Sequence, residues 1–303
     1  MATPMRSTDF RAVVEPILNK VFDGLYEQRV DEWKQVFEEF QGIDRAYHED
    51  VVEYGFSAAP ELPDGSPVSY QSGGILYLQR YLYKVYGLAF ALTKVLVEDG
   101  DHVRIGQTYA KHLARSLIET KETLGANVMN RSFSNSYPGG DGVALISNSH
   151  PVVSGTQSNL LATPASLSQT SLEQMLIQIG NAADDTGRRI RLTPKKLTGG
   201  TSQKFQTDVL LNSVLRTGQA NNDINPVKSL GELSERATLS RITSQTAWWV
   251  STDAPEAMKL AMRRKLEKSM EGDFETDSMR YKSTERYAFG WTGWRGMYGT
   301  PGI

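Results

Sequence analysis

The spacing of apolar residues changes several times along the chain, and each change marks a new segment. Phe10, Val13, Val14, Ile17, Leu18 and Val21 recur at helical spacing behind Ser7 and Thr8 as caps, and Pro16 is expected to break or bend that helix. Val30, Trp33, Phe37 and Phe40 continue at spacings of three and four and predict a second helix, so residues 1–50 read as a helical N-terminal arm. Alternation then takes over. Val52, Tyr54 and Phe56, the turn cluster of Pro60, Pro63-Asp64-Gly65 and Pro67, and then Val68 and Tyr70 predict a long hairpin over 51–86, within an extended segment that runs to 97. The returning limb ILYLQRYLYKVY puts Ile75, Tyr77, Tyr81, Tyr83 and Val85 on one side and Leu76, Leu78, Leu82 and Tyr86 on the other, so both faces need a cover.

From Asp99 and Asp101 as start signals, Gly106, Ala110, Leu113, Leu117, Leu124 and Val128 share one face of the longest predicted helix, with Gly125 as a kink or end. Residues 130–165 are loop-like in composition except for Val143–Ile146, and a boundary between units is placed there. Thr170-x-x-Glu173 reads as a capping box ahead of Leu172, Met175, Leu176 and Ile179. A strand is expected over Arg188–Leu192, a turn at Pro194, and a helix carrying Phe205, Val209 and Leu210. Asp253, Pro255 and Glu256 resemble another helix start, with Met258, Met262, Leu266 and Met270 on one side of that helix. The chain closes with its clearest strand signal, in which Met279, Tyr281, Tyr287, Phe289 and Trp291 take one parity and Arg280, Lys282, Thr284 and Arg286 the other. Trp291 is expected against the long helix.

Charge and composition narrow the function. With 33 Lys and Arg against 35 Asp and Glu, the net charge is −2 and the pI about 6.1, which disfavours a dedicated nucleic-acid binder. The chain has no Cys, which removes disulfides, thiolate zinc sites and Cys nucleophiles and suits a reducing compartment. MATPMRSTDFRAVVEP lacks the apolar run of a signal peptide, and the longest strongly apolar stretch, Tyr86–Leu92, falls far short of the roughly 20 residues that span a bilayer; a soluble chain with no membrane partner is expected. Through residue 101 there are 17 Asp/Glu to 9 Lys/Arg, whereas Arg188, Arg189, Arg191, Lys195 and Lys196, and later Arg263, Arg264, Lys265 and Lys268, form basic clusters. That asymmetry hints at self-association, and the second cluster also suits a helix C-terminus.

Catalytic motifs are missing: there is no phosphate-binding G-x-x-x-x-G-K-[ST], no complete G-x-G-x-x-G, no H-E-x-x-H and no G-x-S-x-G. In His48-Glu49-Asp50 the second imidazole one turn on is absent, since residue 52 is Val. His102 and His112 would stand about 15 Å apart along one helix, too far to share a metal. His150 could act as a base near Ser147 or Ser149 but lacks an acid at a recognisable spacing, and Asp99/Asp101, Asp184/Asp185 and Glu38-Glu39 read as caps, turns and solvated edges. No catalytic, cofactor or metal residue is assigned, and no enzyme is expected.

Three stretches together carry a resemblance: NRSFSNSYPGGDGVALISNSHP at 130–151, TGQANNDINPV at 217–227 and ETDSMRYKSTERYAFGWTGWRGMYG at 275–299. They resemble tailed-bacteriophage major capsid (major head) proteins, including the Mu-like major head subunit group. The resemblance implies an α+β chain with the capsid fold shared by tailed phages and herpesviruses. In that fold residues 1–50 are an N-terminal arm, 51–97 an extended hairpin loop, 98–149 a peripheral domain with a spine helix, 150–270 an axial domain, and 271–303 the return strand to the peripheral domain. It also implies a virion protein that self-assembles in the host cytoplasm as hexamers and pentamers into an icosahedral shell around double-stranded DNA, with scaffold, portal and cement proteins as further partners. The arm is too short for a long scaffolding segment removed by a protease, so a separate scaffold is expected. Near-neutral charge suits a lining past which DNA must slide. Tyr54, Phe56, Leu62 and Tyr70 are the candidate subunit interface, because an apolar hairpin needs a cover that no adjacent segment supplies. Arg280, Lys282 and Arg286 are candidate DNA-facing or inter-subunit charges. The alternatives are a tail or baseplate structural protein, or a cytosolic hydrolase or transferase using the Gly-rich loop 138–142.

Overall fold

The computed structural model describes residues 7–28, 31–42, 45–93, 95–96, 102–216, 223–273 and 278–303, so Val30, Asp99 and Asp101 lie outside the described residues. Helix α1 (Ser7–Gln28) is not broken at Pro16. A proline removes one i→i−4 bond, but Val14, Leu18 and Phe22 hold the helix against Ala110, Leu113, Ala114 and Leu117 of the long helix α2 (His102–Asn130). Small residues let the two axes approach: a Cβ at Gly106 would sit 3.2 Å from Leu18. At 29 residues α2 is the longest described helix, and Gly125 does not end it. A side chain there would meet Trp33 and Phe289 instead.

The predicted second helix is a 3-10 turn (Glu32–Gln35) followed by strand β1 (Glu38–Gln41). The Glu122 carboxylate on α2 captures the backbone N–H groups of Glu32 and Trp33 and seats Trp33 and Phe37 in the core. The hairpin is β2 (Tyr47–Tyr54) paired antiparallel with β3 (Gly74–Leu82). Residues 55–73 contain no strand, and the expected return through Val68 and Tyr70 does not form. The limb after Tyr83 leaves the hairpin as β4 (Lys84–Thr93) and pairs elsewhere.

β10 (Met258–Asp273) replaces the expected helix behind Pro255. A spacing of four is also two strand periods, so Met258, Met262, Leu266 and Met270 share a parity on a strand as readily as a face on a helix. What decides is the partner: β10 pairs along its length with β11 (Ser278–Trp291), the strand expected at the C-terminus. Asp253 accepts the Thr193 N–H, and Glu256 takes a left-handed φ of 61°, so the Asp253–Glu256 stretch is a tight turn, not a cap. One sheet therefore runs β1-β10-β11-β4 with α2 packed on it.

In the second half, β5 (His150–Val152) and β6 (Gly155–Gln157) form a small hairpin. Helix α3 (Gln169–Gly180) starts two residues before the expected box, with Ser168 and Ser171 capping each other; Glu173 pairs with Arg216 instead. Arg188–Leu192 makes no strand. The strand is β7 (Pro194–Gly200), and Pro194 opens it, a position where a missing N–H costs little. Helices α4 (Lys204–Asn212) and α5 (Pro226–Leu230) and strands β8 (Glu235–Leu239), β9 (Trp248–Thr252) and β12 (Met297–Thr300) complete a sheet ordered β12-β9-β7-β8. Trp248 and Val250 face a core with α3 and α4, while Trp249 faces the core shared with α2 and β10. On β11 the expected parity holds: Tyr281 and Tyr287 are buried, Arg280 and Lys282 exposed. Trp291 is only half-buried, against the backbone of Gly139, and Phe289 makes the contact with α2 at Gly125.

Candidate assembly surface

The hairpin root is held by one residue beyond the end of β11. Thr292 Oγ1 donates to Asp50 Oδ2 of β2 at 2.6 Å and accepts from the Tyr81 hydroxyl of β3 at 2.6 Å, while its carbonyl accepts from Tyr77 at 2.9 Å. Asp50 Oδ2 also accepts from Lys259 of β10 at 2.7 Å, and its Oδ1 faces His48 Nε2 at 2.8 Å. Burial pushes the Asp50 carboxyl up, but the hydrogen bonds from Lys259 and Thr292 outweigh it and hold the group below its ordinary range. Burial drives the Tyr77 and Tyr81 hydroxyls far above theirs. Two glycines allow the close approach: a Cβ at Gly290 would lie 2.7 Å from the Tyr81 ring, and one at Gly140 would lie 2.6 Å from the Leu78 carbonyl oxygen.

Beyond this root none of the described residues of its own chain covers the hairpin. Tyr70 is 96% exposed, Val68 63%, Phe56 56% and Leu62 54%, whereas Tyr54 is half-buried across Gly74. Hydrogen bonds between Ser57 and the Gln71 side chain close the loop on itself at its neck. Three of the four candidate interface residues thus present apolar surface outward on a loop anchored at one end. Val51, Ile75, Leu78 and Leu82 extend that exposed surface down the two strands.

Arg280, Lys282 and Arg286 lie on the face of β11 opposite the helices. Across the ladder they meet Ala91, Ala89 and Val85 of β4, small residues apart from Val85, so that this sheet face is flat. Arg280 pairs with Asp273, and Arg286 is half-buried.

His150 has the acid that no local spacing revealed. Its Nδ1 lies 2.6 Å from Asp141 Oδ2, its Nε2 lies 3.0 Å from Asn159 Oδ1, and the ring stacks on Trp294 at 4.3 Å. The Asn159 amide nitrogen donates to the carbonyls of Leu145, Trp294 and Met297, and its oxygen accepts the Ser147 N–H. His150 and Asn159 are fully buried, so the cluster ties residues 141–150, 159 and 294–297 together and presents neither ring nitrogen to a substrate. The Gly-rich loop 138–142 is occupied in the same way, with Gly139 under Trp291, Gly140 under β3 and Asp141 on His150. Among the described residues no group of three or more potential ligands could hold a metal ion, and no helix is long and apolar enough to cross a membrane.

Members of both basic clusters, together with basic residues outside them, pair within the chain. Lys268 pairs with Asp23, Lys259 with Asp50, Arg241 with Glu32 and Glu119, Arg188 with Asp184, and Lys196 with Glu235. The acidic N-terminal part therefore finds several partners in its own second half, and the charge asymmetry is not by itself a sign of self-association. Arg263, Arg264 and Lys268 lie on strand β10, so no helix dipole bears on them.

No family model matches the chain and no curated protein is similar to it. Solved structures are similar. The virus-like particle from Pyrococcus furiosus superposes with a TM-score of 0.51 at 8% identity, over 94% of this chain and 98% of that one. The capsid of the cyanophage P-SCSP1u gives 0.55 at 8% identity, covering 88% and 86%. A structure from Mycobacterium phage Patience gives 0.53 at 13%, covering 98% and 90%. The chain has the fold of a phage capsid subunit. Along the chain α1, the β2/β3 hairpin, α2 and β11 follow one another, and the exposed loop 55–73 is the hairpin's outer end.

Proposed function

We propose that the protein is a structural subunit of a phage head, which assembles as hexamers and pentamers into an icosahedral shell around double-stranded DNA in the host cytoplasm and remains in the virion. The observation that carries this reading is the loop of residues 55–73, which exposes Phe56, Leu62, Val68 and Tyr70 on a root held rigid at Thr292. Monomers rarely leave so much contiguous apolar surface in water, and a hairpin of two strands is marginal by itself. A neighbouring subunit is the cover that suits an arm reaching outward from the body. The capsid fold makes repetition of that contact around a ring the natural outcome. Residues 98–149 with the return strand would then form the peripheral domain and 150–270 the axial domain, with a separate scaffold, a portal and a cement protein as further partners.

We assign the bare face of β11 to packaged DNA. Lys282 and Arg286 stand there beside Ala89, Val85, Ser269 and Arg264, with Arg280 paired to Asp273 at one end, an arrangement that favours loose phosphate contact over burial against protein. The test of the whole reading is light scattering after size exclusion. Assemblies many times the 33.7 kDa subunit mass are expected, whereas a stable monomer at high concentration, with and without a scaffold, would contradict it.

A further inference from the structure

Each of the two four-stranded sheets has two edges, and among the described residues three of those edges are protected. In the first sheet β1 is four residues long and carries Glu38 and Glu39. In the second, the Thr238 N–H of β8 donates to the Gln35 side chain and the Ser240 N–H just beyond it to Glu32. On its other side Gly299 of β12 donates to the Asn159 carbonyl and accepts from the Leu161 N–H. The remaining edge is β4, and no described strand pairs with its outer side. Its ten residues, KVYGLAFALT, contain no proline, carry one charge at Lys84 and run along β11 without a register shift. Val85 and Leu88 are 58% and 50% exposed there. A long, regular, apolar edge of this kind takes up another strand unless something blocks it.

The sequence of β4 is suited to meet itself. In an antiparallel pair centred on Leu88, Tyr86 faces Phe90 twice on the side of α2, while Val85 faces Ala91 and Gly87 faces Ala89 on the other side. Lys84 falls opposite Leu92, so the two ammonium groups stand at opposite ends, about 27 Å apart, and no like charges meet. Tyr109 of α2, which packs edge-on against Phe90, adds exposed aromatic surface beside the same edge. The loop of residues 55–73 fits the edge less well, since it contains no strand and Pro60, Pro63 and Pro67 each lack an N–H.

We infer that β4 pairs antiparallel with β4 of a second copy of this chain, about a two-fold axis at Leu88, and so joins their two sheets into one. The contact is isologous: one patch serves both copies and the pair closes on itself. A contact between unlike patches closes a ring, whereas a contact of this kind joins one ring to another. The place of the pair in a shell rests on the capsid reading, but the pairing itself does not.

The chain has no cysteine, so single substitutions read the contact directly. Leu88→Cys in the full chain, treated with a mild oxidant, should give as its main species a disulfide-linked dimer of twice the 33.7 kDa subunit mass, because residues facing each other across a two-fold lie within disulfide reach. Lys84→Cys, far from its own copy, should stay unlinked. Co-expressed Val85→Cys and Ala91→Cys chains should give a linked dimer that neither gives alone. Melting temperatures of each variant separate a lost contact from a lost fold. No linked dimer from Leu88→Cys, in particles or in free subunits, would overturn the pairing, as would equal linking by Lys84→Cys. Linking of Leu88→Cys to co-expressed Tyr70→Cys chains, and not to itself, would overturn it in favour of the loop as occupant. The two readings fail separately. Normal particles without the Leu88→Cys link leave the capsid reading standing, whereas a linked dimer from a chain that forms no particles supports the pairing and counts against the capsid.

Discussion

Thr292 carries more of the hairpin than any residue within it, since its hydroxyl and carbonyl together gather Asp50, Tyr77 and Tyr81. Thr292→Val keeps the shape and removes both hydroxyl contacts; with the partners left buried, a loss of about 1–3 kcal/mol in subunit stability is expected from denaturant unfolding. Asp50 adds a pH dependence of definite sign. Its folded pKa is held below the unfolded value, so its contribution is fully present above the ordinary carboxylate range and is lost as pH falls through the folded value. Asp50→Asn should therefore cost stability at pH 7, and its difference from the unsubstituted chain should shrink on acidification below about pH 4. A difference that stays constant down to pH 2 would show that the charge of Asp50 does not hold the root. None of this was legible in the sequence. Asp50 and Thr292 are 242 positions apart, and His150 reaches Asp141 and Asn159 through loops whose spacing follows no period.

Elements were legible where one period alone fitted. Helix α2 and strand β11 came through because the apolar face of each admits a single reading. β10 did not, since methionines four apart satisfy helix and strand alike, and its assignment depends on pairing with a strand that follows it. Trp33, Phe37 and Phe40 failed for a related reason: Glu122, far along the chain, holds the backbone of the turn between them. The hairpin was legible in its two limbs but not in its outer end, where turn residues leave 55–73 without a ladder. That outer end gives a prediction at this scale. Replacing residues 58–72 by a short Gly-Ser turn removes only exposed surface, so the subunit should keep its far-ultraviolet circular dichroism and lose no more than about 1 kcal/mol, while shell formation is abolished. Closed shells from that variant would move the subunit contact elsewhere, and failure to fold would place the loop in the subunit's own core.

Across the whole molecule, two sheets share a core with α2, and the ion pairs that span the chain are mostly internal. Among the described residues, the apolar loop 55–73 and the face of β11 that carries Lys282 are left uncovered by the rest of the chain. The most direct test is electron microscopy of the purified chain, alone and co-expressed with a candidate scaffold protein. The account predicts closed shells with icosahedral symmetry, in which each hairpin loop lies on the neighbouring subunit. Single particles of 33.7 kDa size, or open aggregates with no repeating subunit contact, would contradict it.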